Sequence, residues 1–222
     1  MTEIYVIRHG QASFGAEDYD VLSALGERQA RWLGEHFKAR GIRPGRVIHG
    51  SLKRQADTAE QIRLGLGIDK ADWPEPEIHE GLNEYDSDAL VANWGGLHPR
   101  SDHGDRKGHF RELIKILGAW QAGEAEGAEP WTAFRDRVAD AIRVAAQQTG
   151  AEGPVFVSTS GGVIGEVIRQ VLDAPPPTWI RVHMQVRNAG YSRLIAGRSG
   201  VSVASFNETP HLEMREGAVS YS

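Results

Sequence analysis

With 222 residues, 40% of them hydrophobic, the chain can bury a substantial core in one domain, with room for an inserted subdomain but not for a second full domain. A formal net charge of -5, mixed along the sequence, provides no broad basic field for nucleic acid, and the absence of cysteine excludes a disulfide framework, a thiolate nucleophile and a thiolate metal site. No run approaches the ~20 apolar residues needed to span a bilayer and the opening MTEIYVIRHG carries no basic leader, so the expectation is a soluble, cytoplasmic protein with no nucleic-acid or membrane partner.

Ile4-Tyr5-Val6-Ile7 is an uninterrupted β-favouring run, which reads as a strand buried on both faces of a parallel sheet covered by helices. It ends abruptly in Arg8-His9-Gly10, at the carboxyl end where such sheets hold ligands. Arg8 offers a planar fork for phosphate or carboxylate, His9 a nucleophile or proton carrier near neutral pH, and Gly10 room for a ligand beside the backbone. The plainer reading makes Arg8 and His9 the first polar residues of a loop. Ser23 then caps a helix with Leu25, Trp32, Leu33 and Phe37 at its apolar positions, stopped by Gly41-Ile42-Arg43-Pro44-Gly45. Residues 46–50 form a short second strand. Ser51 is the candidate cap of the next helix, which carries Ala56, Ala59, Ile62 and Leu66. Arg54 falls in its first turn, where backbone N–H groups and the helix dipole already favour an anion, so it is a candidate partner for Arg8. Taken alone, Arg54 reads as a surface cation paired with Asp57 or Glu60.

With these three stretches in view, the sequence resembles the histidine phosphatase superfamily, the phosphoglycerate mutase-like proteins. Arg8-His9-Gly10 after the first strand matches its signature, and Leu22-Ser23-x-x-Gly26-x-x-Gln29-Ala30 and Ser51-x-x-x-Arg54-x-x-x-Thr58-Ala59-Glu60 match its next two blocks in order. The resemblance implies that His9 is transiently phosphorylated while Arg8 and Arg54 hold the phosphoryl oxygens. An uncharged imidazole and two fixed cations suit that step chemically.

Leu82-Asn83-Glu84 is similar to the block in which the family places its acid, and Glu84 is the candidate; Glu80 and Asp86 compete for the role, and all three also read as acids of a solvated loop. Residues 88–130 resemble the variable insertion over the family's active site. They include Trp94-Gly95-Gly96, a polar patch in which Arg100, Arg106 and Lys107 are candidates to meet an anionic substrate, and a helix with Leu113, Ile116, Leu117 and Trp120 on one face. His98, Asp102, His103, Asp105 and His109 match no common metal-ligand spacing and read as solvated, so no metal is expected. Residues 123–130 read as a short acidic connector, with Trp131 anchoring a helix that repeats Phe134, Val138, Ile142 and Ala145.

Val155-Phe156-Val157, the turn Ser158-Thr159-Ser160-Gly161-Gly162 and the apolar residues that follow read as strand, anion-ready turn and buried helix. The family's second histidine aligns with Ser160, so a hydroxyl donor assisted by the Gly161 and Gly162 amides stands where a histidinium is usual; His183 and His211 are the other histidines considered near the pocket. The same turn, with its first glycine replaced, vaguely resembles the nucleophile elbow of a serine hydrolase. Pro175-Pro176-Pro177 marks a break, and strands at 192–195 and 201–206 form an antiparallel hairpin at the sheet edge.

The expected fold is α/β, a three-layer sandwich with a mainly parallel central sheet, helices on both faces, an antiparallel edge strand and an inserted cap at 88–130, all within one domain spanning 1–222. The expected function is a phosphatase that hydrolyses small phosphomonoesters through a phosphohistidine on His9. It uses Arg8, Arg54 and Glu84, with Gly10, Ser160 and Gly161 binding phosphate, and needs no cofactor. The alternatives are a phosphoglycerate-type mutase, against which the family resemblance sets Gly15 where mutases carry asparagine, and a catalytically weak phosphate-binding regulatory protein. The oligomeric state is left open, a homodimer included.

Overall fold

A computed structural model of the chain describes residues 1–13, 20–94, 106–147, 150 and 152–221, with the side chains of 106–110 not included. The strands are β1 (Thr2–Arg8), β2 (Arg46–His49), β3 (Glu77–Ile78), β4 (Val155–Thr159), β5 (Tyr191–Gly197) and β6 (Gly200–Glu208). The helices are α1 (Ala24–Ala39), α2 (Lys53–Leu66), α3 (Ser87–Asn93), α4 (Arg106–Ala122), α5 (Trp131–Ala145), α6 (Gly161–Val171), α7 (Pro177–His183) and α8 (Pro210–Glu213). They build a mixed α/β fold around one sheet of order β3-β2-β4-β1-β5-β6. The strands from β3 to β1 run parallel, while β5 pairs antiparallel with β1 and β6 antiparallel with β5. The antiparallel hairpin expected at the sheet edge is formed by β5 and β6, both longer than the expected spans 192–195 and 201–206.

Alternation along β1 explains its unbroken hydrophobicity. Ile4 and Val6 point into a core shared with Val155, Val157, α5 and α6, whereas Tyr5 and Ile7 point to the other face, against Leu33 and Phe37 of α1 and Ile62 of α2. A strand covered by helices on both sides has no solvent face on which a polar residue would be favourable. Each of these fully buried aliphatic or aromatic side chains contributes about 1.5–3 kcal/mol relative to exposure.

The register lines up the carboxyl ends of the parallel strands. Arg8 lies opposite Thr159, and His49 opposite Ser158. The residues that follow β1, β2 and β4 thus emerge along one edge.

Three local readings change. Ser51 does not cap α2: the N-cap is Leu52, without a side-chain bond, and Ser51 is engaged with Asn83, whose side chain accepts from its N–H at 2.8 Å and donates to its Oγ at 2.8 Å. The exposed N–H of Lys53 is met by Asp20 Oδ2 at 2.9 Å, so a carboxylate from a distant loop serves the helix end. Ser23, in contrast, caps α1 by accepting from Gly26 N at 3.0 Å. The proline run does more than break the chain, because Pro177 opens α7 in the first turn, where a missing N–H costs no intrahelical bond.

Of the span 88–130, residues 88–94 and 106–130 are described, without the side chains of 106–110. Ile116, Leu117 and Trp120 are buried against Trp131, Phe134 and Trp179. Arg100, Asp102, His103 and Asp105 lie outside the described residues, as do the side chains of Arg106, Lys107 and His109. Among the described residues no helix is long and apolar enough to cross a membrane.

Helices α1 and α2 touch backbone to backbone. A β-carbon on Gly34 would lie 2.2 Å from Ile62 O and 2.8 Å from Gly65 Cα, and one on Gly65 would lie 2.1 Å from Arg31 O. Gly34→Ala is expected to separate the helices and destabilise the fold by about 1–3 kcal/mol or more. At this chain length that lowers the thermal midpoint by about 2–4 °C per kcal/mol. An unchanged midpoint would mean that the helix pair accommodates a methyl freely.

Candidate active site

Backbone bonds hold His9 from two sides: its N–H donates to Thr159 O at 2.8 Å, and its carbonyl accepts from Ala189 N at 3.2 Å. The ring is buried, with Nδ1 2.7 Å from Gly10 O and Nε2 3.3 Å from Arg54 Nε. A carbonyl only accepts and a guanidinium only donates, so the proton is assigned to Nδ1 and the lone pair to Nε2. Burial first, then the charges of Arg8 and Arg54, hold the His9 imidazole well below its ordinary range, against a smaller opposing effect of the Gly10 carbonyl. The imidazole is thus held in its neutral form, with its Nε2 lone pair facing a cation.

Arg54 is buried too. Its Nη1 pairs with Asp20 Oδ1 at 2.7 Å, and Asp20 is the same residue that meets the N–H of Lys53. The reading of Arg54 as a surface cation paired within its helix is overturned: Glu60 pairs with Arg63 instead. Arg8 is likewise buried and donates from Nη1 to Val186 O. Thr58 ties the first loop to α2 by accepting from Gly10 N at 3.0 Å while donating to Arg54 O at 2.7 Å. The amide of Gly10, a residue expected to bind phosphate, is thus bonded to Thr58 in this structure. The space expected for a ligand beside Gly10 is filled by Gly26, whose carbonyl oxygen would be 2.3 Å from a β-carbon there.

The turn after β4 supplies the other wall. Ser160 is fully buried at the start of α6, and its Oγ accepts from Gln55 Nε2 at 2.9 Å. Gln55 also donates to Leu82 O at 2.8 Å, so it fixes the hydroxyl oxygen and leaves the hydroxyl hydrogen to point elsewhere. No histidine bonds Ser160, and a serine-hydrolase reading lacks its base among the described residues.

Of the three candidate acids, Asp86 caps α3 by accepting from Ala89 N at 2.8 Å, Glu80 is exposed, and Glu84 faces α6. Glu84 accepts from Gly162 N at 2.9 Å and from Tyr85 N at 3.2 Å. Burial raises the Glu84 carboxyl above the usual glutamate range, although these N–H bonds and the two arginines pull the other way. Its loop is braced by Arg137, which donates to Asn83 O at 2.6 Å and is clamped by Glu129.

A β-carbon at Gly162 would lie 2.2 Å from Glu84 Oε1, and one at Gly161 would lie 3.3 Å from Arg8 Cζ and 3.2 Å from His183 Cδ2. Only glycines admit these groups so close to the helix start. His211 lies elsewhere, buried beside His36 and Tyr191. Sequence reasoning missed Asp20, Gln55 and Arg137. The sole signal for any of them is that Gln55 adjoins Arg54. Gly15 lies outside the described residues. Among the described residues no group of three or more His, Asp or Glu is arranged to hold a metal ion.

The profile of the histidine phosphatase superfamily, branch 1, matches residues 4–209. A probable phosphoglycerate mutase from Salmonella typhi is 27% identical over 202 residues, which covers 87% of this chain and 85% of the relative. Among solved structures, a phosphoserine phosphatase mutant from Entamoeba histolytica in complex with phosphoserine aligns with a TM-score of 0.67 at 20% identity, covering 96% of this chain and all of that one. A phosphoglycerate mutase from Bacillus anthracis aligns with a TM-score of 0.67 at 20% identity, covering 95% and 94%. A mycobacterial glucosyl-3-phosphoglycerate phosphatase aligns with a TM-score of 0.63, also at 20% identity, covering 94% of this chain and 100% of that one.

Proposed function

Because the chain belongs to the histidine phosphatase superfamily, we propose that it is a phosphomonoesterase acting on small phosphorylated substrates through a phosphohistidine at His9. The observation that carries this reading is the setting of the His9 ring, with Nδ1 2.7 Å from Gly10 O and Nε2 3.3 Å from Arg54 Nε, which assigns the lone pair to Nε2. In the first step Nε2 attacks phosphorus and the bond to the ester oxygen breaks, while Glu84 passes its proton to that oxygen. Arg8 and Arg54 hold the non-bridging oxygens. In the second step ionised Glu84 takes a proton from water, whose oxygen attacks phosphorus. The N–P bond breaks, its electron pair returns to Nε2, and inorganic phosphate leaves. Ser160 and the Gly161 amide are assigned to phosphate binding on the same wall, and 88–130 to a cap that selects the substrate.

The test is hydrolysis of p-nitrophenyl phosphate by the wild type without added metal, together with trapping of an acid-labile phosphoryl group on His9. Turnover without a phosphohistidine would sink the mechanism. A pH profile follows from the two shifted groups. Activity needs His9 neutral, hence pH above its lowered value, and Glu84 protonated, hence pH below its raised value. On an alkyl phosphate, whose leaving group needs the proton, kcat/KM is expected to rise as His9 loses its proton and to fall as pH rises through the raised value of Glu84. A rate that keeps climbing into alkaline pH would remove Glu84 as the acid.

Mutase activity is the second reading, favoured by the curated relative's name. The same phosphohistidine would then return its phosphoryl group to a substrate hydroxyl. Release of free phosphate from a phosphorylated hydroxy acid supports the phosphatase, and isomerisation without phosphate release supports the mutase. Phosphate binding with no turnover on any ester would instead favour the regulatory reading, for which the serine at position 160 is the motive.

A further inference from the structure

Two donor groups meet at the start of α6. A β-carbon built on Gly161 would lie 3.2 Å from His183 Cδ2 and 3.3–3.4 Å from Arg8 Cζ and Nε, so the imidazole edge and the guanidinium lie side by side against the same glycine. His183 is fixed there. Its ring stacks on Trp179 with centroids 5.2 Å apart and an interplanar angle of 21°, and meets Tyr85 edge-on at 5.6 Å. Trp179 Nε1 in turn donates to Gly162 O at 2.8 Å, tying α7 to the amino end of α6. One turn past His183, Val186 O accepts from Arg8, and Val186 N donates back to His183 O at 3.2 Å. The end of α7 therefore holds the Arg8 guanidinium and positions the imidazole next to it.

His183 Nδ1 is buried without a hydrogen-bond partner. A buried polar ring nitrogen left unmatched in the packed core points to a ring oriented for its other nitrogen. Cδ2 is bonded to Nε2, so the edge turned to Gly161 and Arg8 is the Nε2 edge. Donation toward Arg8 requires the tautomer with its hydrogen on Nε2, which an anion bound between the ring and the guanidinium would select. Burial, then the Arg8 charge, push the imidazole down to about 3, so it is a neutral single donor. With a cation and an imidazole side by side at the start of α6, one anion would accept from both.

We propose that His183 is a catalytic residue whose Nε2–H donates to a phosphoryl oxygen held by Arg8, so that an imidazole from α7 adds a second side-chain donor to that oxygen set. The proposal rests on the phosphomonoesterase reading for its consequence in turnover, and on the Arg8–Gly161–His183 geometry for its consequence in binding.

The experiment pairs His183→Phe, which keeps a flat ring between Trp179 and Tyr85 but removes the donor, with His183→Gln, which keeps an N–H. With p-nitrophenyl phosphate, His183→Phe is expected to lose about a hundredfold in kcat, with KM changed far less and the thermal midpoint maintained, and His183→Gln to recover part of the loss. In wild type labelled with 15N-histidine and assigned through bonds, saturating inorganic phosphate is expected to shift the His183 Nε2 resonance. Wild-type kcat in folded His183→Phe overturns the proposal. So does a His183 resonance unmoved by phosphate concentrations that shift His9. If the wild type shows no turnover dependent on His9, the phosphomonoesterase reading fails and the phosphate titration alone decides for or against His183. The titration uses the wild type, so it decides equally if neither variant folds.

Discussion

His9→Ala is expected to lower kcat for p-nitrophenyl phosphate by about ten-thousandfold or more, to the level of background hydrolysis, as removal of a covalent nucleophile does elsewhere. Inorganic phosphate should still bind, because Arg8 and Arg54 are held by their own partners, Val186 O and Asp20, independently of the imidazole. The protein should stay folded, since His9 is anchored by its backbone bonds to Thr159 and Ala189, which alanine retains. Turnover and phosphate affinity are measured on the same preparation. Equal hydrolysis by variant and wild type would show that the reaction does not pass through this imidazole. Loss of phosphate binding together with turnover would mean that His9 organises the arginines instead of attacking.

Glu84→Gln carries the second large effect, and its size should depend on the substrate. On an alkyl phosphate, whose alkoxide leaves poorly, losing the proton donor is expected to cost about a hundred- to ten-thousandfold. On p-nitrophenyl phosphate, whose phenolate leaves without help, phosphorylation of His9 should be nearly unaffected, and the deficit should move to the hydrolytic step that needs a base. Phosphohistidine should then accumulate in the variant. The descent of the rate at alkaline pH should also disappear, because that limb is the ionisation of a carboxyl raised by burial. Identical losses on both substrates, with the alkaline limb retained, would assign the proton to another group.

The framework of the site is legible in the chain because it is local. The strand that ends in Arg8-His9 announces itself by an apolar run stopped by charge, and Arg54 by its place in the first turn of a helix after a second strand. The layered fold follows from the same alternation of strands and amphipathic helices. What was not legible depends on residues far apart in sequence. Asp20 reaches Arg54 and the start of α2 only once the first loop folds across, and Gln55 reaches Ser160 across about half the chain. The failed cap at Ser51 belongs here as well, since its hydroxyl is claimed by Asn83. The two residues of β3 are too few to show a period, and the prolines before α7 carry a break signal that is equally a helix-start signal. Ser160 is the instructive case. Its identity could be read, but the direction of its hydroxyl depends on an amide that no motif includes.

The ion pair between Arg54 and Asp20 bears on how the proposed reaction ends. A guanidinium sealed in the protein with no counter-charge would grip the first anion to arrive and surrender it slowly, because letting go would strand a desolvated cation. Here the chain carries its own understudy for phosphate. An arriving phosphoryl group would meet a cation whose charge Asp20 already partly offsets, and a departing one would leave behind a cation that still has a mate. For the proposed reaction, Asp20 is expected to level the two ends of the cycle, with entry less rewarding, exit less costly and inhibition by inorganic phosphate weaker than an unpaired Arg54 would give.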